Sequence, residues 1–349
     1  MLKQSLVYIA LSSFIHLSCL AYTAQATTPR SGFIHHLSPR HDASHSSTAT
    51  SQHHRRTNQE STYETREKAF YSSLVAIGAS FTDDGHPRFA KWNTTLHQYY
   101  PYSLYDDAYG GSVIKNDLGG TGANSPAAID QIATYLSDLE HGIICGGKGR
   151  VLHYFNSGIN PVGQIWSNAM SQNFTKKAKI NAVDSLEKNM QAYATAIDSI
   201  ALNEDVKESF AGVDLLLVGI PPLEIVPHFA SQVLNTTSEA AALTFLKQLT
   251  KQYNSELKTI SSELRKRHKH SRVFFYDFAR LWYSLQTFPE SYGLAISPIT
   301  TPCFEMVAGT LCKDPGSYLY WDTLHPTTVI HQIMAEEINS LVLGITKEE

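Results

Sequence analysis

Cysteine is scarce in this chain: there are four in 349 residues. That excludes a disulfide-dense scaffold, so the fold must rest on a buried core, and 42% hydrophobic residues in a chain of this length can build one. Charge is also thin, at 17% with a formal net charge of −4. Without a basic surplus the chain has nothing to hold a polyanion, which argues against a nucleic-acid partner. Long apolar runs are missing after residue 26, so no transmembrane anchor is expected there. No glycine-rich phosphate loop follows the first strand-like run, which argues against a nucleotide binder. Internal repeats and an appended binding module are lacking as well. A single domain acting as a monomer, with neither metal nor cofactor, is the resulting expectation.

What is present begins with two atypical N-terminal segments. Residues 1–26 carry Lys3, an apolar stretch from Leu6 to Tyr22, and Ala24-Gln25-Ala26, the pattern of a cleaved secretory signal peptide. Residues 27–66 are rich in Ser, Thr, His and Arg and poor in large aliphatic side chains, so they are expected to be disordered. Six histidines fall here (His35, His36, His41, His45, His53 and His54), but neither cysteine nor regular ligand spacing accompanies them. A flexible pro-segment is the simpler reading than a metal site. Residues 67–349 remain as one domain, secreted and extracellular if the leader is used. An oxidising route also suits the cysteines. Cys19 leaves with the leader, and Cys303 and Cys312, nine apart in a loop bearing Pro and Gly, are expected to pair. Cys145 is then a buried free thiol. Asn93, Asn173 and Asn235 open N-x-[ST] sequons, as expected of a secreted eukaryotic glycoprotein.

Strand-like runs at 74–79, 151–156, 213–219 and 272–277 alternate with helical patterns near 126–141, 179–203, 239–268 and 327–343. That alternation predicts a doubly wound α/β domain with three layers. The basic cluster Arg265-Lys266-Arg267-His268-Lys269-His270 closes a helical pattern and reads as a solvated helix C-terminus favoured by the macrodipole.

Chemistry concentrates in two places. Near the C-terminus, Tyr320-Trp321-Asp322-Thr323-Leu324-His325-Pro326 sets an Asp three residues before a His on a turn leading into a helix. A carboxylate on imidazole Nδ1 fixes the tautomer and stabilises the imidazolium formed when Nε2 takes a proton. Read alone, the same pair also suits a capped turn with a half-buried His. The missing nucleophile is supplied by Ser80, which lies in Gly78-Ala79-Ser80-Phe81-Thr82-Asp83-Asp84-Gly85, just past the strand-like run at 74–77. The C-terminal edge of a parallel sheet is where ligands and catalytic groups collect. By itself, Ser80 is equally a loop residue capping the next helix.

Together the segments resemble the GDSL hydrolases, also called the SGNH hydrolase family. Residues 78–85 are similar to the family's nucleophile block, and 320–327 to its last block with Asp and His. Asp107-Ala108-Tyr109-Gly110-Gly111-Ser112 is similar to the block whose glycine lends an N–H to the oxyanion hole, with Gly111 the better aligned, and Gly158-Ile159-Asn160-Pro161 to the block with the oxyanion asparagine. The resemblance spans about 74–345. It implies a three-layer α/β/α sandwich with a parallel, flavodoxin-like sheet, a triad of Ser80, His325 and Asp322, and an oxyanion hole made by the N–H groups of Ser80 and Gly111 with the Asn160 amide. The chain departs from the family at Ala79 and Pro161, where Asp is usual. Similarity to secreted fungal acetylesterases, together with an aromatic-rich stretch (Trp92, Tyr99, Tyr100, Tyr102, Tyr105, Tyr109), implies short acyl esters on carbohydrate. A lipase or phospholipase acting on longer acyl chains is the alternative. An inactive carbohydrate- or lipid-binding protein is a third reading, disfavoured by the joint presence of Ser80, Asp322 and His325.

Overall fold

The computed structural model describes residues 71–83, 103–118, 125–144, 146–147, 149–294, 300–305 and 307–344. Five parallel strands, β1 (Tyr71–Gly78), β2 (Ser103–Asp106), β3 (Arg150–Asn156), β4 (Gly212–Val218) and β5 (Val273–Tyr276), form one sheet in the order β2-β1-β3-β4-β5. This is the flavodoxin-like order, with its switch point between β1 and β3. The β1 and β4 runs are apolar and buried almost throughout, as strands covered on both faces must be.

Eight α-helices are seen among the described residues: α1 (Ala128–Glu140), α2 (Ile159–Ser171), α3 (Lys176–Leu202), α4 (Glu204–Ser209), α5 (Pro227–Ser231), α6 (Glu239–Arg267), α7 (Phe278–Thr287) and α8 (Thr328–Leu343). The steps from β3 to β4 and from β4 to β5 run the same way across the sheet, so right-handed crossovers put α3 and α6 on one face. There α1, α2, α3 and α6 pack on one another. On the other face α8 packs on β5 and the Tyr276 hydroxyl donates to Glu337, while Phe278, Trp282 and Tyr320 stack edge to face beneath it. These rings are fully buried, each hiding apolar area worth roughly 2–3 kcal/mol.

The four strand-like runs and four helical patterns foreseen from sequence are all present. β2, α2, α4, α5 and α7 are additions. α2 starts at Ile159 with Pro161 as its third residue, where a missing N–H costs nothing because the first helical donors have no intrahelical acceptor. The basic cluster is not simply solvated. Arg265 donates to the Val273 carbonyl of β5, and Arg267 and His268 both grip Asp198 of α3. At the opposite sheet edge from the strand C-termini, the fully buried Asp214 carboxylate accepts from Tyr71, Arg150 and Arg272. That ties β1, β3, β4 and the entry to β5 together.

Cys303 and Cys312 are bonded, their Cα atoms 4.8 Å apart. They flank a short antiparallel hairpin, β6 (Phe304–Glu305) and β7 (Thr310–Leu311). Cys145, Asn93 and residues 1–66 lie outside the described residues.

Candidate active site

β1 ends at Gly78, and the chain turns at once: the Ala79 carbonyl accepts from the N–H groups of Thr82 and Asp83 at 2.8 and 2.9 Å. A side chain at Gly78 would put its Cβ 2.7 Å from Thr82 Oγ1 and 2.8 Å from the Asn156 carbonyl, so only glycine fits the crossing. Ser80, half-buried, is thereby held at the C-terminal edge next to the switch point.

The Asp-His turn arrives from the far end of the sequence. Asp322 Oδ1 accepts from the backbone N–H of Leu324 and His325, both at 2.7 Å, and Oδ2 lies 2.8 Å from His325 Nδ1. A proton on Nδ1 therefore serves the carboxylate, leaving Nε2 as an acceptor 2.9 Å from Ser80 Oγ. Partial burial works to raise the Asp322 carboxyl, and the hydrogen bonds from the His325 ring and from the two backbone N–H groups outweigh it, holding it at about 2. The carboxylate is thus charged across the working range. Phe81 packs its ring 5.6 Å from that of His325 and 6.1 Å from that of His331 on α8. Burial, aided by the nearby charge of His325, pushes His331 down to about 4.

The Gly110-Gly111-Ser112 segment follows β2. The Gly110 N–H donates to Asp83 Oδ2 at 2.6 Å, whereas the N–H groups of Gly111 and Ser80 have no acceptor among the described residues. Gly111 has φ +80°, a left-handed conformation natural to glycine. Asn160, in the first turn of α2, donates one amide proton to the Ser112 carbonyl at 2.9 Å and keeps the other. Gly111 and Asn160 line one cleft of about 300 Å³. This is an arrangement of free donors beside a hydroxyl, an imidazole and a carboxylate, the parts needed for acyl transfer.

The cleft runs between α2 and α5. Its polar wall is Gln164, Ser167, His228 and Gln232, and its apolar floor is Val113, Ile159, Phe229 and Leu324; none of its described lining residues is charged at neutral pH. Gly163 lets Phe229 come close, since a Cβ there would lie 2.7 Å from the ring. The His228 N–H donates to the Thr323 carbonyl at 2.8 Å, which ties α5 to the Asp-His turn. Burial depresses the His228 imidazole; the Asp322 charge opposes this, and that of His325 adds to it.

Four supporting residues were not singled out from sequence. Gln131, fully buried on α1, accepts from the Gly78 N–H at 2.9 Å, and its amide nitrogen lies 2.9 Å from both the Gly78 carbonyl and Ser112 Oγ. It joins the end of β1 to the Gly110-Gly111-Ser112 segment. Asp83, Ser112 and His228 complete that frame. A glutamine on the buried stripe of an otherwise apolar helix face, beside Ala128, Ile132 and Tyr135, is the one sequence signal available, because buried amides must be paired. Of the other expected residues, Tyr105 and Tyr109 are half-buried, while Trp92, Tyr99, Tyr100 and Tyr102 lie outside the described residues. Asn173 and Asn235 are exposed, at φ 53° and 62°. Among the described residues no group of His, Cys, Asp and Glu is placed to hold a metal, and no helix is long and apolar enough to cross a membrane.

Comparison with known proteins points to one family. A GDSL esterase/lipase of Arabidopsis thaliana is 24% identical over 67% of this chain and 65% of its own length. The sinapine esterase of Brassica napus is 28% identical over 28% of each chain. A second Arabidopsis thaliana GDSL esterase/lipase is 23% identical over 65% of this chain and 63% of its own length. The chain therefore spans less than two thirds of the length of each of these relatives. Among solved structures, phospholipase A1 of Streptomyces albidoflavus aligns over 78% of this chain and 99% of its own, with a TM-score of 0.35 and 12% identity. The pattern of the GDSL-like Lipase/Acylhydrolase family matches residues 74–338, most of the described domain, and on that match the chain belongs to this family.

Proposed function

We propose that the protein is a secreted serine esterase acting on short acyl esters, chiefly acetyl esters of carbohydrate. The observation that carries the chemistry is the continuous chain from Ser80 Oγ to His325 Nε2 at 2.9 Å and from His325 Nδ1 to Asp322 at 2.8 Å. In this reading Ser80 Oγ attacks the ester carbonyl carbon as its proton passes to His325 Nε2, and Asp322 stabilises the imidazolium. Negative charge on the carbonyl oxygen is met by the N–H groups of Ser80 and Gly111 and the second amide proton of Asn160. Collapse expels the alcohol, which takes the proton from His325. Water then repeats the sequence on the acyl-enzyme, releasing the acid and restoring Ser80.

The substrate class is inferred from the cleft. An uncharged wall of amide, hydroxyl and imidazole groups beside the oxyanion donors suits a neutral, hydroxyl-bearing substrate. It offers no charged partner to a choline or phosphate headgroup, and the short apolar floor suits a small acyl group better than a long chain. Export is supported by the leader-like N-terminus, the bonded Cys303 and Cys312, and sequons at the exposed Asn173 and Asn235. A chain-length series of p-nitrophenyl esters, run beside acetylated oligosaccharides and a Ser80→Ala control, tests the whole reading. We expect acetate and acetylated sugar to be preferred, the variant to be inactive, and a phosphonate to label Ser80. Undiminished activity in Ser80→Ala would refute the mechanism, and preference for long acyl chains would shift the assignment to a lipase.

A further inference from the structure

Among the described residues lining the cleft beside Gly111 and Asn160, only His228 carries an ionisable side chain. Its place is fixed through the backbone: Pro227 opens α5 just before it, and its own N–H donates at 2.8 Å to the carbonyl of Thr323, the neighbour of Asp322. Its carbonyl accepts from Ser231 Oγ at 3.1 Å and from Gln232 Nε2 at 3.2 Å, which draws the Gln232 amide to the same wall. The imidazole packs edge to face on Phe229, with ring centroids 5.1 Å apart. Neither ring nitrogen has a partner among the described residues, and the residue is exposed. Partial burial and the charge of His325 depress the imidazole against the pull of Asp322, so the ring is neutral at pH 7 and close enough to the reacting groups to feel both.

We propose that the His228 imidazole is a specificity-determining contact of the esterase, hydrogen-bonding a hydroxyl on the alcohol portion of the substrate. The assignment rests on the esterase reading above. A cleft of about 300 Å³ is larger than an acetyl group fills, so the part of an acetyl ester that reaches α5 is its alcohol. A neutral imidazole carries one donor and one acceptor nitrogen, and a sugar hydroxyl can use either. The ring has no place in the catalytic relay itself. Asp322 already spends Oδ1 on the N–H groups of Leu324 and His325 and Oδ2 on His325 Nδ1, so His228 neither orients nor replaces the base. Its effect is on which ester is taken: once substrate shuts water out of the cleft, an alcohol without a hydroxyl leaves the imidazole unpaired, and that is a penalty the correct substrate does not meet.

The test is a selectivity ratio. His228→Phe keeps a ring against Phe229 and keeps the backbone bond to Thr323, but removes both nitrogens. Parent and variant of the full chain are compared on a mono-O-acetylated xyloside, which retains free hydroxyls, and on p-nitrophenyl acetate, which has none, with the fold checked by circular dichroism and Tm. The ratio of kcat/KM for the xyloside to that for p-nitrophenyl acetate is expected to fall about five- to tenfold in the variant. A second measurement needs no turnover. In protein carrying Ser80→Ala, saturation-transfer NMR titration with the same acetylated xyloside should give a Kd raised by a similar factor when His228→Phe is added. An unchanged ratio, an equal loss on both esters, no binding of the xyloside, or equal affinity with and without His228→Phe would overturn the assignment. Failure of the esterase reading looks different, as hydrolysis that survives Ser80→Ala or is absent from the parent, and the binding comparison then decides the role of His228 by itself.

Discussion

At the scale of single residues, Gly111 separates backbone strain from packing. Its φ of +80° lies where a Cβ is disfavoured, yet an added Cβ would meet nothing within 4 Å. Gly111→Ala therefore acts by straining or turning the backbone at a residue that lines the cleft, at a cost of roughly 1–2 kcal/mol, rather than by a clash. Loss of an oxyanion donor costs about 10²–10³ in kcat. We expect Gly111→Ala to lower kcat on p-nitrophenyl acetate by about ten- to a hundredfold with little change in KM, measured beside Tm to exclude unfolding. An unchanged kcat would remove Gly111 from the oxyanion hole. The reason Gly111, Ser80, Asn160, Asp322 and His325 are legible from sequence is that each sits in a short block whose residue types are constrained locally. Gln131, Ser112 and Asp83 hold those blocks to one another across 53, 19 and 27 residues of chain. Contacts of that kind leave no local spacing to read.

At the scale of elements, the hairpin β6-β7 is built into the Asp-His turn. The N–H groups of Cys303 and Phe304 donate to the carbonyls of Tyr320 and Trp321 at 2.9 and 2.7 Å, and the Trp321 N–H donates to the His325 carbonyl at 2.7 Å. Phe304 and Trp321 stack with ring centroids 5.9 Å apart. The disulfide thus closes a loop whose first strand is hydrogen-bonded to the turn carrying His325. In the chain-entropy model a loop of about ten residues contributes roughly 2.5–3 kcal/mol. Displacing a catalytic group by about an ångström costs on the order of a hundredfold in rate. We expect Cys303→Ser to cut kcat more than it raises KM, with Tm lowered; a variant that loses Tm while keeping kcat would confine the bond to a stability role. The long helices were legible because their periodicity runs for several turns. β2 was not, since four residues ending in Tyr105 and Asp106 show no alternation, and α2 was masked by Pro161, which ordinarily marks a stop.

At the scale of the whole molecule, stability should respond to pH through buried groups remote from one another. Burial pushes His153, fully buried on β3 with Nε2 2.9 Å from the Tyr135 hydroxyl, down to about 4, against weaker opposing help from the Asp214 carbonyl and charge. His331 is likewise held at about 4. Both therefore stay neutral in the folded chain while an unfolded histidine protonates near 6.5. As pH falls from about 6.5 to 4 the unfolded state takes up these two protons first, and stability drops. Asp107 works the other way: burial, then the charge of Asp138, raises it to about 7, so the folded chain takes up its proton before the unfolded one and gains stability over nearly the same window. Two protons against one leaves a net loss of about 1.4 kcal/mol per pH unit. Below pH 4 the two histidines and Asp107 are protonated in both states and contribute no further slope, and the loss continues through Asp322, which at about 2 keeps its stabilising charge above the unfolded carboxylate value and surrenders it as pH falls. Urea denaturation between pH 7 and 4 should show this slope. His153→Gln, which keeps a donor for Tyr135 but cannot titrate, should bring it close to zero between 6.5 and 4. A parent protein whose stability is flat across that window, or a glutamine variant that retains the full slope, would show that His153 is not a principal source of the acid sensitivity.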